Sequence, residues 1–479
     1  MSKNHKPQIL KKFIIILSFL FSLHFYSQDR SLEKISLEET IEIALKNNIN
    51  LKRSHLRAET AALNFKATRS EVLPNLNGRY NYGVNNGRSI DPFTNDYIDQ
   101  KLDFSNASLN LNAQIFNGFE LRNSIQRDRF NMKASEAEAE AERQQLILDV
   151  TLAYFQVLNN QDLLKLAELR LKSIRQQTDR LKVLYEQGEG NPADYTDIKG
   201  QVNNDQSNVV GAENNLYRSK LELAQLLNIN SEINIEEFQV HPELEKYSLT
   251  AEETYEASLK NLATFEAKRL RIDAAEEDIA VSRSLFAPDI SLFAQLNTNY
   301  SSVARLFNQT GTQIIETGQF ITVDEVNYPV RTNQSQFSEE KISYSDQFEN
   351  NLNSVIGVAI DIPIFNGFRA RRNLQLKKIQ KENAELELEN IKNQFLQAIK
   401  KAHNNMEAAY ENYFILQDQV QAYEQSYEVN EIRFNNGVSN IVEYIISKNN
   451  LDRAKINQTN AKYEYLIRVK VLEYYKGAS

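Results

Sequence analysis

Apolar residues recur along this chain with two different periods. Between residues 36 and 72, Leu37, Ile41, Leu45, Leu56 and Leu63 stand at helical spacing among many charges, which predicts amphipathic helix. Pro74 ends that pattern, and from Leu76 the period drops to two. Leu76, Gly78, Tyr80 and Tyr82 share one face, and Asn75, Asn77, Arg79 and Asn81 share the other. A Gly-, Asn- and Asp-rich stretch from Gly83 to Asn106 predicts an exposed loop. Alternation returns with Leu109, Leu111, Ala113 and Ile115 against Asn110, Asn112 and Gln114. The predicted strands cover about 75–84 and 107–116. Strands of about ten residues, apolar on one face and amide-rich on the other, fit a barrel wall with lipid outside and water inside. A water-soluble hairpin packed on a core would show the same alternation.

After Asn117-Gly118 the pattern turns helical and stays so. Residues 119–187 contain neither proline nor glycine, and Leu146, Val150, Tyr154, Leu158 and Leu164 mark a stripe. At 1.5 Å per residue this predicts a rod on the order of 100 Å. Glu136, Glu138, Glu140 and Glu142 need water, so the rod is too polar as well as too long for a bilayer. Strict heptads, which an ordinary coiled coil would keep, are not sustained. Gly188 supplies the residue that ends the helix, and Asn191 followed by Pro192 predicts a capped helix returning over 191–227.

The chain then says nearly the same thing again. Ile115-Phe116-Asn117-Gly118-Phe119 reappears as Ile364-Phe365-Asn366-Gly367-Phe368, and Gly188 as Gly437, both 249 positions on. Earlier anchors repeat 214 positions on: Glu38-Glu39-Thr40 as Glu252-Glu253-Thr254, and Pro74 as Pro288. About 35 extra residues therefore separate Pro288 from Ile364. The second unit has predicted strands at about 289–299 and 354–364, a rod over 368–436 and a returning helix over 440–475. Asn299 to Asn350 is expected to be a long polar loop. The domain plan is a first repeat over 29–227, a linker over 228–249 that packs midway along the rods, and a second repeat over 250–479. Four strands cannot close a barrel, and open edges are forbidden in lipid. If these strands sit in a membrane, several chains must each contribute four.

Composition narrows the function. Residues 1–28 hold Lys3, Lys6, Lys11 and Lys12 before an apolar run from Phe13 to Phe25, which predicts a secretory signal peptide. Its removal would take the net charge from −9 to −13 and makes nucleic acid an improbable partner. The 479 residues include no cysteine, which excludes disulfides and thiolate metal sites. His5 and His24 fall in the signal, and His55, His241 and His403 are scattered. With no nucleophile elbow or phosphate loop, the chain reads as no enzyme and as needing no cofactor.

These residues resemble the TolC-type outer-membrane efflux protein family over essentially the whole mature chain. The carriers are the duplicated order, Leu73-Pro74 and Ala287-Pro288 before a strand, and Phe-Asn-Gly opening each long helix. Pro363-Ile364-Phe365-Asn366-Gly367 is similar to the family's usual stretch, which often ends in two glycines. Here Phe119 and Phe368 replace the second glycine, and Gln114 replaces the proline in the first unit. The resemblance implies a mixed α/β membrane protein, a homotrimer whose twelve strands form one β-barrel continuous with a periplasmic α-helical barrel. It implies an outer-membrane exit duct, surrounded by outer-membrane lipid, fed by a periplasmic adaptor and an inner-membrane pump of RND or ABC type. A structural or adhesive stalk without channel activity is the rival reading.

Site residues follow from the same resemblance. Asn117, Gly118, Asn366 and Gly367 form the strand-to-helix turns, and the tips at Gly188 and Gly437 are where an adaptor docks or simply where a helix turns. Glu443 aligns with an acid lining the family's constricted entrance, and Asp194 with one that helps hold it shut. Ser439 stands where an arginine is usual and Ile446 where a second acid is usual. Both acids also lie three residues after an asparagine, where a carboxylate favours a helix start.

Overall fold

The structure is a computed structural model describing residues 34–90, 95–99, 101–230, 233–236 and 244–477. The expected signal peptide, together with His241 and Pro242 of the linker, lies outside the described residues. In chain order the first half contains α1 (Leu37–Asn47), α2 (Ile49–Ser70), β1 (Asn75–Asn85), β2 (Arg88–Ile90), β3 (Tyr97–Asp99), β4 (Leu102–Asn117), α3 (Glu120–Glu186) and α4 (Pro192–Leu227). The second contains α5 (Ala251–Asn261), α6 (Ala263–Ser284), β5 (Asp289–Ser301), β6 (Arg305–Val323), β7 (Val326–Lys341), α7 (Tyr344–Asn350), β8 (Asn353–Asp361), α8 (Arg369–Asn435) and α9 (Ile441–Lys476). These residues form two compact units: one within Met1–Ala58, Ser135–Ala267 and Glu387–Ser479, the other within Glu59–Ala134 and Lys268–Leu386.

The second of these units holds an antiparallel sheet ordered β1-β4-β5-β8. Its register lines Leu76, Leu111, Ala294 and Ile356 into one row, and Asn77, Asn110, Gln295 and Val355 into the next. One face is therefore apolar across all four strands, and the other is amide-rich on β1, β4 and β5 but carries Val355, Gly357 and Ala359 on β8. Glycines on the edge strands are covered from the inner ones. A Cβ on Gly83 or Gly357 would stand 2.6 Å from the ring of its cross-strand partner, Phe104 or Phe293.

Four sequence expectations are corrected. The stretch Asn299 to Asn350 is not an irregular loop: β6 and β7 pair as a long hairpin followed by α7. Its turn residues Asp324 and Glu325 both have positive φ, as a two-residue hairpin matching strand twist requires. The loop over Gly83 to Asn106 is shorter than expected, since β2 pairs with β3 and β4 already starts at Leu102. The last strand ends at Asp361 rather than 364, because Pro363 has no N–H for the ladder. The helical pattern over 36–72 is two helices. Asn48 breaks it by turning its side-chain oxygen onto the Leu51 N–H at 3.1 Å, a local bond that competes with the helix ladder.

In the other unit, Leu146, Val150, Tyr154, Phe155 and Leu158 of α3 form a core with Leu223 and Leu227 of α4. Ile233 and Ile235 of the 228–249 linker join that core, and Ile235 makes a parallel bridge with Ile35. The Tyr154 hydroxyl donates to the carbonyls of Ile35 and Glu236 at 3.2 and 3.0 Å. Burial, with Glu236 and Glu38 nearby, pushes that phenol up to about 12. Farther along, the Tyr465 hydroxyl of α9 donates to the Glu245 carbonyl at 2.5 Å. Matching capping boxes, Ser36 with Glu39 and Thr250 with Glu253, start α1 and α5.

Candidate functional site

Each rod ends in a tight turn built from local bonds. At the first tip, the N–H groups of Glu189 and Gly190 both donate to the Leu184 carbonyl at 3.0 Å, around Gly188 at φ +75°. Asn191 caps α4 by accepting from the Ala193 N–H at 3.1 Å, and its amide donates to Asp194 at 3.2 Å. At the second tip, Val438 N–H reaches the Arg433 carbonyl at 2.8 Å around Gly437 at φ +73°. Asn440 caps α9 through the Glu443 N–H at 2.9 Å. A Cβ on Gly188 or Gly437 would meet nothing within 4 Å, so glycine is required there by conformation, not by crowding. Asp194 and Glu443 hold equivalent places in the first turns of their helices but differ in their partners. Glu443 instead faces Arg433 at 3.9 Å, both side chains about half exposed.

The two tips are tied together. Arg180 of α3 donates to the carbonyl of Asn435, the last residue of α8, at 2.7 Å and also to its side chain. A guanidinium at that helix end satisfies a free carbonyl and opposes the helix dipole. Aromatic rings pack just inside: Phe434 stacks on Tyr444 at 5.1 Å, and Tyr427 donates to Glu431 at 2.7 Å.

Farther from the tips lies a buried charge network that the sequence did not reveal. Arg170 of α3 stands 2.9 Å from Asp205 of α4 and 3.0 Å from Asp452 of α9. Lys448 of α9 reaches Asp452 at 2.7 Å and Asp205 at 3.7 Å. Asp205 is fully buried, and the Lys448 side chain is 4% exposed. Its two cations and two anions balance, and Gln201 adds a bond to Asp205 at 3.0 Å. The second Asp205 oxygen still has no hydrogen-bond donor among the described residues. Arg170, Asp205, Lys448 and Asp452 look in sequence like ordinary helix-surface charges; the i,i+4 spacing links only Lys448 with Asp452, and nothing in the spacing joins that pair to Arg170 or Asp205.

The strand-to-helix turns repeat to the level of single dihedrals. Gly118 and Phe119 have φ of +64° and +64°; Gly367 and Phe368 have +62° and +60°. A phenylalanine in the left-handed region costs about 1–2 kcal/mol. Each is held by the ring three residues earlier, Phe116–Phe119 at 5.3 Å and Phe365–Phe368 at 5.6 Å, both edge to face, which offsets about 0.5–1.5 kcal/mol. Asn117 also caps α3 through the Leu121 N–H at 3.3 Å, while the Asn366 carbonyl accepts from the Arg369 N–H at 3.3 Å.

Comparison with known proteins gives a consistent picture. The family described as outer membrane efflux protein matches residues 40–229 and 254–478, one stretch in each repeat. The outer membrane protein TolC of Escherichia coli K12 is 24% identical over 439 residues, covering 90% of this chain and 80% of that protein. Among solved structures, the Campylobacter jejuni CmeC outer membrane channel superposes with a TM-score of 0.70 at 18% identity, covering 92% of this chain and 85% of that one. The Vibrio cholerae outer membrane protein VceC gives 0.71 at 16% identity, covering 92% and 96%.

Proposed function

The chain belongs to the outer membrane efflux protein family, and we propose that three copies join their sheets into one twelve-stranded barrel continuous with an α-helical tunnel. It is an outer-membrane protein, an exit duct of an efflux or type I secretion system. Cargo is received from an inner-membrane pump through a periplasmic adaptor. The adaptor's helical hairpins dock at the tips around Gly188 and Gly437, and Asp194 and Glu443 belong to the entrance.

The observation that carries the trimer is an asymmetry between the turns. A Cβ on Gly118 would stand 2.5 Å from Ala287 Cβ and 3.0 Å from the Ser284 backbone, so this turn is seated on the end of α6. Its counterpart Gly367 meets nothing within 4 Å. Ser70 and Leu73, which correspond to Ser284 and Ala287, are left uncovered, Leu73 by 70%. A second copy supplies the missing half, seating the Gly367 turn of one protomer on Ser70–Leu73 of the next. Carried over by the repeat, the pairing of Leu109 with Leu296 and Asn110 with Gln295 sets Val358 opposite the neighbour's Tyr82 and Ala359 opposite its Asn81. β8 then pairs with β1 and no edge remains.

A chain without cysteine makes the test clean. Val358→Cys with Tyr82→Cys, and Ala359→Cys with Asn81→Cys, sample both kinds of antiparallel pair, one of which brings its Cβ atoms closer. At least one should give disulfide-linked trimers under oxidation, while Val358→Cys with Asn85→Cys should not. In planar bilayers the trimer should conduct; a closed, non-conducting trimer would favour the stalk. A monomer stable without detergent overturns the reading.

A further inference from the structure

Beside the turns, a cavity of about 690 Å³ is lined by charges of both signs. Arg369 and Arg372 from the first turn of α8 contribute guanidinium groups, and Glu120, Asp289 and Asp361 contribute carboxylates. None of the five forms an ion pair among the described residues. Asp289 accepts from the Gln114 amide at 2.8 Å, and Glu120 from the Ser284 hydroxyl at 3.5 Å. The start of α8 also differs from its counterpart in the first repeat and from the starts of the returning helices. Its first turn has no acidic residue, whereas Glu120, Asp194 and Glu443 stand in the first turns of α3, α4 and α9, where the helix dipole favours them. Arginines there call for an anion from outside.

The cavity also borders apolar surface open to its surroundings. Ile362 lines it and is 64% exposed, and Ile364 and Phe365 continue outward at 93% and 76%. We propose that this cavity binds the headgroup of a zwitterionic aminophospholipid, a proposal that rests on the outer-membrane reading above. The phosphate lies against Arg369 and Arg372, and the primary ammonium against Glu120, Asp289 and Asp361. The acyl chains run along Ile362, Ile364 and Phe365. A primary ammonium has three N–H donors for the carboxylates, while a quaternary headgroup has none. Guanidinium groups are suited to the phosphate oxygens. Apolar flanks explain why a lipid, and not a free zwitterion, is the occupant.

The test uses the full-length protein purified in mild detergent and exposed to phosphatidylethanolamine, phosphatidylcholine or phosphatidylglycerol with identical acyl chains. Retained lipid is read by native mass spectrometry. Phosphatidylethanolamine should be held about tenfold more than phosphatidylcholine, the scale of one charge-assisted contact. Asp361→Asn should abolish that preference, whereas Arg372→Gln should weaken retention of phosphatidylethanolamine and phosphatidylcholine alike and Arg372→Lys should keep part of it. Assembly of each variant is checked by the cysteine cross-link between protomers, so a failed trimer and a failed lipid site give different results. Equal retention of all three headgroups would overturn the proposal, as would a preference for phosphatidylglycerol. So would variants that alter conductance but bind lipid like the parent, since the cavity would then face the water-filled duct.

Discussion

Helix α9 carries two charge clusters built in opposite ways. At its first turn Glu443 faces Arg433 at 3.9 Å with both side chains about half exposed. One and two turns later, Lys448 and Asp452 enter the network with Arg170 and the fully buried Asp205. The exposed pair is screened by water and contributes about 0–1 kcal/mol. The buried network has given up its hydration, so losing one member strands the others. The charges of the same helix are thus loosely paired at its first turn and firmly paired along its body.

The largest effect should come from breaking the network unevenly. Asp205→Ala leaves Arg170 and Lys448 sharing Asp452 alone and should cost about 3–5 kcal/mol, the range for an uncompensated buried charge. Replacing all four residues together by Met and Leu should restore most of that loss, because the desolvation cost disappears with the charges. Urea unfolding in detergent, followed by circular dichroism, measures both. If Asp205→Ala costs no more than Glu443→Gln, the contrast between helix body and helix end is wrong.

Next in size are the tip glycines. Gly437→Val forces a β-branched residue into φ +73° and should cost about 1–2 kcal/mol. Gly188→Val should cost the same, since neither position meets a neighbour within 4 Å. Export, measured in cells on variants that still form trimers, should fall well beyond what this loss explains if an adaptor docks there. Full export by an assembled Gly437→Val trimer would leave the glycine with a conformational role only.

How much of this was legible in the sequence divides along the same line. The duplicated order of helix and strand could be read because glycine, proline and asparagine mark its joints locally, at Gly188-Asn191-Pro192 and Asn117-Gly118. The β6–β7 hairpin was missed because its apolar residues fall on both faces, Ile314 beside Ile315 and Phe320 beside Ile321. Bulges at Gln309/Gly311 and Glu316/Phe320 interrupt the period as well. Pairing of Glu443 with Arg433 across the tip was not foreseen, although both residues lie beside the turn. Asp205 could not be read at all, since burial of a carboxylate is decided by three helices meeting and leaves no trace in spacing.

A smaller effect is expected from the rings between the two clusters. Burial, the neighbouring Tyr444 hydroxyl and Glu431 together raise the Tyr427 phenol, and burial raises Tyr444. A phenol raised in the folded state contributes stability that is complete below its ordinary value near 10 and is lost as pH rises beyond it. Stability against thermal unfolding should therefore fall above about pH 10, and Tyr427→Phe should flatten that dependence. At neutral pH the same change should cost about 0.5–1.5 kcal/mol for the lost bond to Glu431. A parent protein equally stable at pH 9 and 11 would mean these rings are solvated in the assembled protein.

The smallest change in stability should come from Glu443→Gln, and its value lies in what else it changes. The glutamine keeps the backbone cap, because Asn440 bonds the N–H of residue 443 and not its side chain. Only the contact to Arg433 is lost, worth less than about 1 kcal/mol for an exposed pair. If three copies of Glu443 converge on the trimer axis, they form a carboxylate ring that favours cations. The variant should then lose cation selectivity and block by divalent ions in planar bilayers while unfolding nearly as the parent does. Asp194→Asn at the equivalent place in α4 is the control: its carboxylate accepts from Asn191 at 3.2 Å, so a purely capping role would give both variants the same small loss. Should Glu443→Gln conduct and select like the parent but melt earlier, the acid caps a helix and the entrance is set by other groups.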